Sequence, residues 1–143
     1  MFSFWRKKIE DSRQTARQKV GTKGESLAAE FLRKKKIRVF ARNWSDGRHE
    51  LDLLAWEGEV LVVIEVKTRT KEGLVPARSA VDRQKKAAVR KGVYHFLRTL
   101  RHQPKAIRFD IVEVIQEPLD GEPGPVVRHY SHIPLFSKHF RPG

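Results

Sequence analysis

The chain contains no cysteine and no long apolar run, and these two absences exclude several classes of protein. Without cysteine, its 143 residues can form no disulfide framework, thiolate nucleophile or cysteine-based zinc site. No window approaches the ~18 consecutive apolar residues that a membrane-spanning helix requires. The start, from Met1 to Lys19, lacks the apolar core of a secretory signal. We therefore expect a soluble protein of the cytoplasm.

Acidic residues are few beside the basic ones, with 17 Asp and Glu against 30 Lys and Arg and a formal charge of +13. Such a charge on a small protein favours a polyanionic partner. Nucleic acid is the first candidate, an anionic membrane surface the second and a basic ribonucleoprotein the third. The length indicates one domain, which we assign to residues 21–143 behind a basic N-terminal arm of residues 1–20.

Apolar periodicity and turn residues predict an α/β protein with a mixed central sheet between helices. The predicted helices run from near Gly24 to Lys36 and from Asp82 to Leu100. The predicted strands are Ile37–Ala41, Glu50–Trp56, Val60–Lys67, Ile107–Ile115 and, at one edge, Val126–Tyr130. Turns or loops are predicted at Asn43–Gly47, Glu57-Gly58, Lys71–Pro76 and Glu117–Pro125.

The strand Val60–Lys67 ends in an acid and a base on one face. Because side chains alternate along a strand, Glu65 and Lys67 point to the same side as Leu61 and Val63. Both faces of its first half are apolar, which predicts a buried strand. An isolated charge at such a place is costly. Pairing Glu65 with Lys67 or with a metal ion would relieve that cost.

Asp52 lies one strand earlier and joins this pair through the hairpin. By alternation Asp52 shares one face with Glu50 and Leu54, and the other face carries Leu51, Leu53 and Ala55. The Glu57-Gly58 turn pairs the two strands antiparallel. Asp52, near the start of one strand, should then lie beside Glu65, near the end of the other.

Two carboxylates and a lysine so arranged suit phosphodiester hydrolysis, which needs an activated water and a neutralised developing anion. Asp52 and Glu65 offer the hard oxygen ligands that Mg²⁺ or Mn²⁺ prefers, with the backbone carbonyl of Val66 as a third. The cation lowers the pKa of water and polarises the phosphoryl oxygen, while Lys67 neutralises the phosphate. Glu25, at the start of the first helix, is either stabilised by the helix dipole or holds a metal-bound water.

Six ordered blocks of the sequence stand out. They are Gly21-Thr22-Lys23-Gly24-Glu25 with Ala28 and Leu32; Arg42-Asn43-Trp44; Glu50-Leu51-Asp52-Leu53-Leu54-Ala55; Glu65-Val66-Lys67-Thr68-Arg69; Ala80-Val81 with Lys85 and Phe96-Leu97; and Arg108-Phe109-Asp110-Ile111-Val112. Together they resemble the YraN-like family of predicted bacterial endonucleases over about residues 21 to 115, with a faint echo at His132-Ile133-Pro134. His49 departs from the family, which more often has glycine before Glu50. The family says little about the basic arm.

The resemblance implies a restriction-endonuclease-like fold with an αβββαβ core, similar to archaeal Holliday-junction resolvases. It implies a site made of Glu25, Asp52, Glu65 and Lys67, which would bind Mg²⁺ or Mn²⁺ and cut DNA. We expect DNA rather than RNA as the partner and no membrane. A homodimer is the assembly that the resolvases suggest, because two strands must be cut symmetrically. The expected nucleic-acid contacts are Lys85, Lys86, Arg42 and Arg69.

Several residues have more than one interpretation. Glu50 is an outer metal ligand, a partner for Lys67 or a solvated strand-end charge. Lys85 reaches a phosphate or belongs to a solvated basic helix face. Arg108 and Asp110 are predicted to pair with each other or with Arg42.

The histidines and tryptophans of the chain also have structural explanations. His129, His132 and His139 have a spacing seen in zinc sites, but their place in a proline-containing tail argues against a metal. Trp44 and Trp56 could stack on unpaired bases, but we predict that they pack within the fold.

Three functions therefore stand beside one another. The acid–acid–lysine cluster favours an enzyme, a metal-dependent endonuclease acting on DNA, including branched DNA. A non-catalytic module of the same fold would bind nucleic acid by shape and charge, with salt-sensitive affinity. A basic ribosome- or partner-associated protein would use its acids only to structure the fold.

Overall fold

A computed structural model of the chain describes residues 16–71, 82–118 and 121–136, with the backbone alone for residues 16–22. Its elements are helix α1 (Ala16–Lys34), strands β1 (Arg38–Ser45), β2 (Glu50–Glu57) and β3 (Val60–Lys71), helix α2 (Arg83–Leu97), and strands β4 (Ala106–Glu117) and β5 (Val126–Tyr130). The predicted order of helices and strands is confirmed. Within the described residues, neither helix combines the length and the apolar character needed to cross a membrane.

The five strands form one mixed sheet in the order β1-β2-β3-β4-β5. Strands β1, β2 and β3 are antiparallel neighbours, β3 and β4 are parallel, and β5 is antiparallel to β4. The β2–β3 connection is the predicted hairpin, in which a two-residue loop follows the Glu57–Val60 pair. The loop begins with Gly58 at φ 58°, a left-handed conformation that glycine adopts without steric cost.

The two helices cover opposite faces of this sheet. On the α2 face, Leu61 and Val63 of β3 pack with Val93 of α2. On the α1 face, Val62 packs with Leu32 of α1. Strand β3 is therefore central and apolar on both sides, as its composition predicted. The resulting α/β fold, a mixed sheet between helices, agrees with a restriction-endonuclease-like core.

Helix α1 starts eight residues before the predicted start near Gly24, which was wrong. Residues 16–19 are Ala, Arg, Gln and Lys, all strong helix formers, and the helix passes through Gly24 despite the cost of about 1 kcal/mol for an interior glycine. It therefore crosses residue 20, the predicted boundary between arm and domain. Residues 1–15 of that arm lie outside the described residues.

The end of α1 lies at the predicted lysine run. Lys36 adopts φ 65°, and the Ile37 amide donates to the Leu32 carbonyl at 3.0 Å while the Lys36 amide donates to the Arg33 carbonyl at 3.0 Å. These two bonds form a Schellman motif. The apolar contact that accompanies the motif is made by Ile37 and Leu32, which belong to the same core cluster.

Strand β1 extends to Ser45, into the first half of the turn predicted at Asn43–Gly47. Its pairing with β2 shifts between Val39 and Ala41, so an extra residue is accommodated there, and Asn43 adopts φ 51° within the strand. The chain turns later, where the Asp46 amide donates to the His49 carbonyl at 3.3 Å. The residues that predicted a turn therefore lie partly in an irregular strand. Asparagine can occupy that strand because it tolerates the left-handed region.

The predicted alternation of β2 was wrong at Leu51. Leu51 and Leu54 both lie in the α2-face cluster, whereas Leu53 and Ala55 lie in the α1-face cluster. Regular pairing with β3 ends at the Leu53–Ile64 pair, whereas Leu51 still pairs with Trp44 of β1, which packs against the same α2-face cluster. Leu51 turns toward α2, where the missing side chain of Gly92 leaves room for it.

Other boundaries shift by a few residues. Strand β3 continues to Lys71, where a loop was predicted, β4 is longer at both ends, and α2 ends at Leu97. The rest of the predicted Lys71–Pro76 loop lies outside the described residues. Both tryptophans pack as predicted: Trp44 meets Phe96 edge-on with ring centroids 5.6 Å apart, and Trp56 stacks on Phe40 at 5.7 Å.

The predicted pairing of Arg108 with Asp110 is confirmed. Arg108 Nε donates to Asp110 Oδ1 at 2.9 Å, and His129 Nε2 lies 2.8 Å from Asp110 Oδ2. The His132 amide donates to the same carboxylate at 3.0 Å. Two of the tail histidines thus serve Asp110, which is fully buried. His139 lies outside the described residues.

Candidate active site

Asp52 and Glu65 meet where the β2–β3 ladder ends. Beyond the Leu53–Ile64 pair, the Asp52 carboxylate accepts a hydrogen bond from the Val66 amide at 2.9 Å. Asp52 also hydrogen-bonds to the side chain of Glu65, which is only 7% exposed. The structure therefore brings together the two carboxylates that the hairpin was predicted to join.

The contact between these carboxyl groups changes the acidity of Asp52. Burial raises the pKa of Asp52 to about 7, and the Glu65 charge adds to the increase against the opposing hydrogen bond from Val66. An unperturbed aspartate has a pKa of about 3.9. Two like charges in close contact do not both ionise without compensation. The pair is therefore suited to sharing either a proton or a cation.

Two lysines contact the same oxygen of Glu65. Lys67 Nζ lies 3.5 Å and Lys85 Nζ 3.2 Å from Glu65 Oε1. Burial lowers the pKa of Lys85, but the charges of Glu65, Asp52 and Glu50 outweigh burial and raise that pKa. The side chains of Lys67 and Lys85 remain 29% and 41% exposed. Both ammonium groups can therefore bind Glu65 while facing solvent.

Lys85 comes from the first turn of α2, and the helix start fixes its backbone. Asp82 is the N-cap of α2, and its side chain accepts a hydrogen bond from the Lys85 amide at 2.8 Å. Sequence reasoning gave equal weight to Lys85 on a solvated basic face. The signal for its actual place was its position three residues after an N-cap aspartate, close behind the strand that carries Glu65.

Glu25 reaches this region from α1 because Gly24 brings the helix close to β3. A Cβ added at Gly24 would overlap the Thr68 side chain, so this crossing requires glycine. Asn43 Nδ2 donates to Glu25 Oε2 at 2.9 Å. Burial raises the pKa of Glu25, and the nearby Asp52 charge contributes in the same direction, although the Asn43 hydrogen bond opposes them. The sequence pattern predicts Asn43 only as a turn residue and gives no signal of its contact with Glu25.

Glu50 does not pair with Lys67, which contacts Glu65 instead. It is exposed and lines a cavity of about 230 Å³ between the β1–β2 turn and α2, together with Lys85 and His49. The structure thus places Glu50 on the Lys85 side of the cluster.

The predicted nucleic-acid contacts lie on three elements. Arg42 of β1 is exposed and donates to Ser26 Oγ at 3.2 Å, one residue from Glu25. Arg69 of β3 lies 3.4 Å from the buried carboxylate of Glu113. Lys86 follows Lys85 on α2 and is half-buried. Cations therefore flank the carboxylate pair, although Arg69 is also held by an ion pair.

The donor set fits a hard divalent cation. Carboxylate oxygens are the ligands that Mg²⁺ and Mn²⁺ prefer. Burial and, after it, the Glu65 charge raise the pKa of Asp52, and a cation would offset both effects. Asp52, Glu65 and the Val66 carbonyl are the groups that would hold the ion, with Glu25 behind them. The sequence pattern of two strand-borne acids was sufficient to predict that Asp52 and Glu65 lie together, and their binding of a cation stays a prediction.

A family model described as "Uncharacterised protein family UPF0102" matches residues 24–114. The chain belongs to this family. The UPF0102 protein of Porphyromonas gingivalis is 34% identical over 118 residues, which cover 82% of this chain and 86% of the relative. The UPF0102 protein of Koribacter versatilis is 43% identical over 98 residues, covering 67% and 68%. That of Solibacter usitatus is 41% identical over 97 residues, covering 66% and 74%.

The resemblance to the YraN-like family is confirmed by these matches. The part matched to the UPF0102 model contains Glu25, Asp52, Glu65, Lys67 and Lys85. The names of these UPF0102 relatives state family membership and no activity.

Proposed function

We propose that the chain is a divalent-metal-dependent endonuclease that hydrolyses phosphodiester bonds of DNA, with branched DNA as the substrate class to test first. One observation carries the proposal: two carboxyl groups, Asp52 and Glu65, are placed in like-charge contact at the end of a buried strand. Such a placement disfavours ionisation unless a cation is bound. Perturbed groups of this kind are typical of functional sites.

Each residue of the cluster has a role that its position supports. A bound Mg²⁺ or Mn²⁺ would polarise the phosphoryl oxygen and favour ionised water. Asp52 and Glu65 would hold the ion. Lys67 and Lys85 are both partly exposed, so each side chain can exchange its ion pair with Glu65 for one with a phosphate. Glu25, held by Asn43, accepts a hydrogen bond from the attacking water.

Charge around the cluster supports a polyanionic substrate. The formal charge of +13 and the cations on β1, β3 and α2 would neutralise several phosphates, and the affinity would fall steeply as salt rises. Because both strands of a branched substrate must be cut symmetrically, we expect two copies of the chain on it. The choice of DNA rather than RNA as the substrate rests on the family resemblance.

The test is a cleavage assay on duplex, single-stranded, flapped and four-way DNA, with EDTA, Mg²⁺ or Mn²⁺. We expect metal-dependent cutting that Glu65→Ala lowers by roughly 10²–10⁴-fold. Glu59→Ala is the matched control, since Glu59 is exposed in the hairpin and pairs with Lys105. Its rate should equal that of the parent chain.

Two other outcomes would reject the nuclease. Salt-sensitive binding without cutting under any metal would indicate a nucleic-acid-binding module of the same fold. The absence of binding to free DNA would indicate a basic partner-associated protein. Cutting that persists in Glu65→Ala would place the chemistry elsewhere.

A further inference from the structure

A second group of metal-ligating side chains lies between the β1–β2 turn and α2. His49 Nδ1 and His95 Nδ1 each lie 3.1 Å from Asp46 Oδ2. The two imidazole rings are 4.6 Å apart at their centroids and tilted by 32°. All three ligand atoms lie within 4.8 Å of one another. Two imidazole nitrogens and one carboxylate oxygen therefore converge on one point.

The local structure orients Asp46 for this contact. Asp46 Oδ1 accepts hydrogen bonds from the Arg48 amide at 2.9 Å and the His49 amide at 2.7 Å. These bonds and the His49 side chain keep the pKa of Asp46 well below its usual range. One carboxylate oxygen is thus occupied by the turn, and the other is directed at the two histidines. Orientation of a ligand by such outer hydrogen bonds is a common property of metal sites.

A close helix–strand contact places His95 opposite the turn. A Cβ added at Gly92 would lie 3.1 Å from Leu51 and 3.5 Å from the His49 Cβ, so α2 approaches β2 closely at that residue. His95 follows one helical turn after Gly92 on the same side of α2. The geometry of the three side chains therefore depends on the core of the fold and on the turn.

We propose that Asp46, His49 and His95 form a binding site for a divalent transition-metal ion, with Zn²⁺ as the probe. In a tetrahedral site with bonds of about 2.0–2.1 Å, ligand atoms lie about 3.3 Å apart, close to the 3.1 Å between the Asp46 oxygen and each imidazole nitrogen. Binding requires that each imidazole carries its proton on Nε2 and that the two rings close around the ion. Solvent supplies the fourth ligand, because His95 is 45% exposed.

This site shares no ligand with the carboxylate cluster and selects a different ion, although His49 lines the same cavity as Glu50 and Lys85. His95 and Lys85 are ten residues apart on α2, which corresponds to about 15 Å along the helix. Imidazole ligands favour Zn²⁺ and its transition-metal neighbours, whereas carboxylates alone favour Mg²⁺ or Mn²⁺. The ion would tie the β1–β2 turn to α2, the helix that carries Lys85.

The experiment measures Zn²⁺ binding by calorimetry and thermal unfolding, in a Glu65→Ala background that disables the carboxylate cluster. We expect one Zn²⁺ per chain and a rise in melting temperature on the order of 5–10 °C at 100-fold excess over Kd. His95→Gln should weaken binding by roughly 100-fold or more, and His49→Gln should act likewise. His102→Gln, an exposed histidine beyond α2, is the matched control and should bind as the parent does.

Two results would overturn the proposal. One is the absence of Zn²⁺ binding by the folded parent chain. The other is binding that survives both His95→Gln and His49→Gln, because the ion would then be held by other histidines. Circular dichroism of each variant shows that it is folded, and a variant that loses its fold is replaced in the comparison by the other histidine variant.

Discussion

Two aspartates of the sheet, the buried Asp110 and the half-buried Asp52, have opposite environments. Asp110, on the α1 face, is bonded to Arg108, His129 and the His132 amide. These bonds outweigh burial and lower its pKa. Asp52 is bonded to the Val66 amide but faces Glu65. Its pKa is raised to about 7 by burial and by that second acid.

The difference separates a carboxylate that is fully paired within the chain from one that faces a second acid. Asp110 accepts enough hydrogen bonds to be stable as a buried anion, so it requires no bound ion or ligand. Asp52 has an anionic neighbour where Asp110 has a guanidinium. A binding partner can therefore stabilise the Asp52 region and would add nothing to the Asp110 region. We expect the two regions to respond oppositely to the same changes.

The largest expected effect is the loss of the Asp110 charge. Asp110→Asn removes the buried anion that pairs with Arg108 and His129 and leaves Arg108 with Glu57 alone, so it should reduce the free energy of unfolding by about 3–5 kcal/mol. Asp52→Asn should leave it near the parent value at pH 4, where Asp52 is protonated in the folded chain, and raise it at pH 8. Urea unfolding of both variants measures the contrast, and equal destabilisation by the two substitutions would contradict it.

The pH dependence of Asp52 should give the next largest effect. Because its pKa of about 7 in the folded state exceeds the unfolded value of about 3.9, the folded chain binds more protons between these values. Stability then falls as pH rises from about 4 to 7, on the order of 2 kcal/mol for this partly exposed group. Asp52→Asn should remove that slope in metal-free urea titrations.

Addition of Mg²⁺ sharpens the same comparison. The cation should stabilise the parent chain more at pH 8 than at pH 5, because protons compete for the carboxylates, and should not stabilise Asp52→Asn. Equal stabilisation of the parent and of the variant would place the cation elsewhere.

A smaller effect is expected where α1 crosses β3. Gly24→Ala should cost roughly 1–2 kcal/mol through overpacking against Thr68, and it should also lower the proposed nuclease activity by displacing Glu25 from Asp52. Thr68→Ala in the same chain should partly restore both properties. The Asp110 region should be unaffected, which chemical shifts of His129 would report.

The smallest effect is expected at the rim of the Asp110 region. Lys35 Nζ lies 3.0 Å from His129 Nδ1 and 4.9 Å from the Phe31 ring centroid, but the side chain is exposed. Lys35→Met should cost about 0.5 kcal/mol or less. A loss comparable to that of Asp110→Asn would show that the rim, rather than Arg108, stabilises the buried carboxylate.

The sequence predicted what depends on local pattern. The apolar run of β3 and the two-residue hairpin fixed its pairing with β2, and these were enough to place Asp52 beside Glu65. The order of all seven elements was also predicted, as was the pairing of Arg108 with Asp110. In each case the residues involved are close in sequence or share one strand face.

The remainder depended on contacts between distant elements. The low helix propensity of glycine argued against a helix through Gly24. The reason for glycine there is the close contact with Thr68, more than forty residues away in the sequence. Asn43 predicted a turn, whereas in the structure its side-chain amide donates a hydrogen bond to Glu25. His49 appeared as a departure from a family pattern, and only the approach of α2 at Gly92 brings it to His95. Hydrophobic periodicity does not predict contacts of this kind between distant elements.

The short hairpin loop at Gly58 has a consequence for the order of folding. Asp52 and Glu65 are thirteen residues apart, so closing the chain between them costs little entropy. The partners of Asp110 come from β4 and from the segment at and after β5, and Lys35 joins them from the end of α1. Contacts of low sequence separation form early. We therefore expect Asp52 and Glu65 to come together in the early hairpin, before α2 packs and Lys85 can contact Glu65. The contacts of Asp110, which join more distant segments, are expected to form in the slow step of folding.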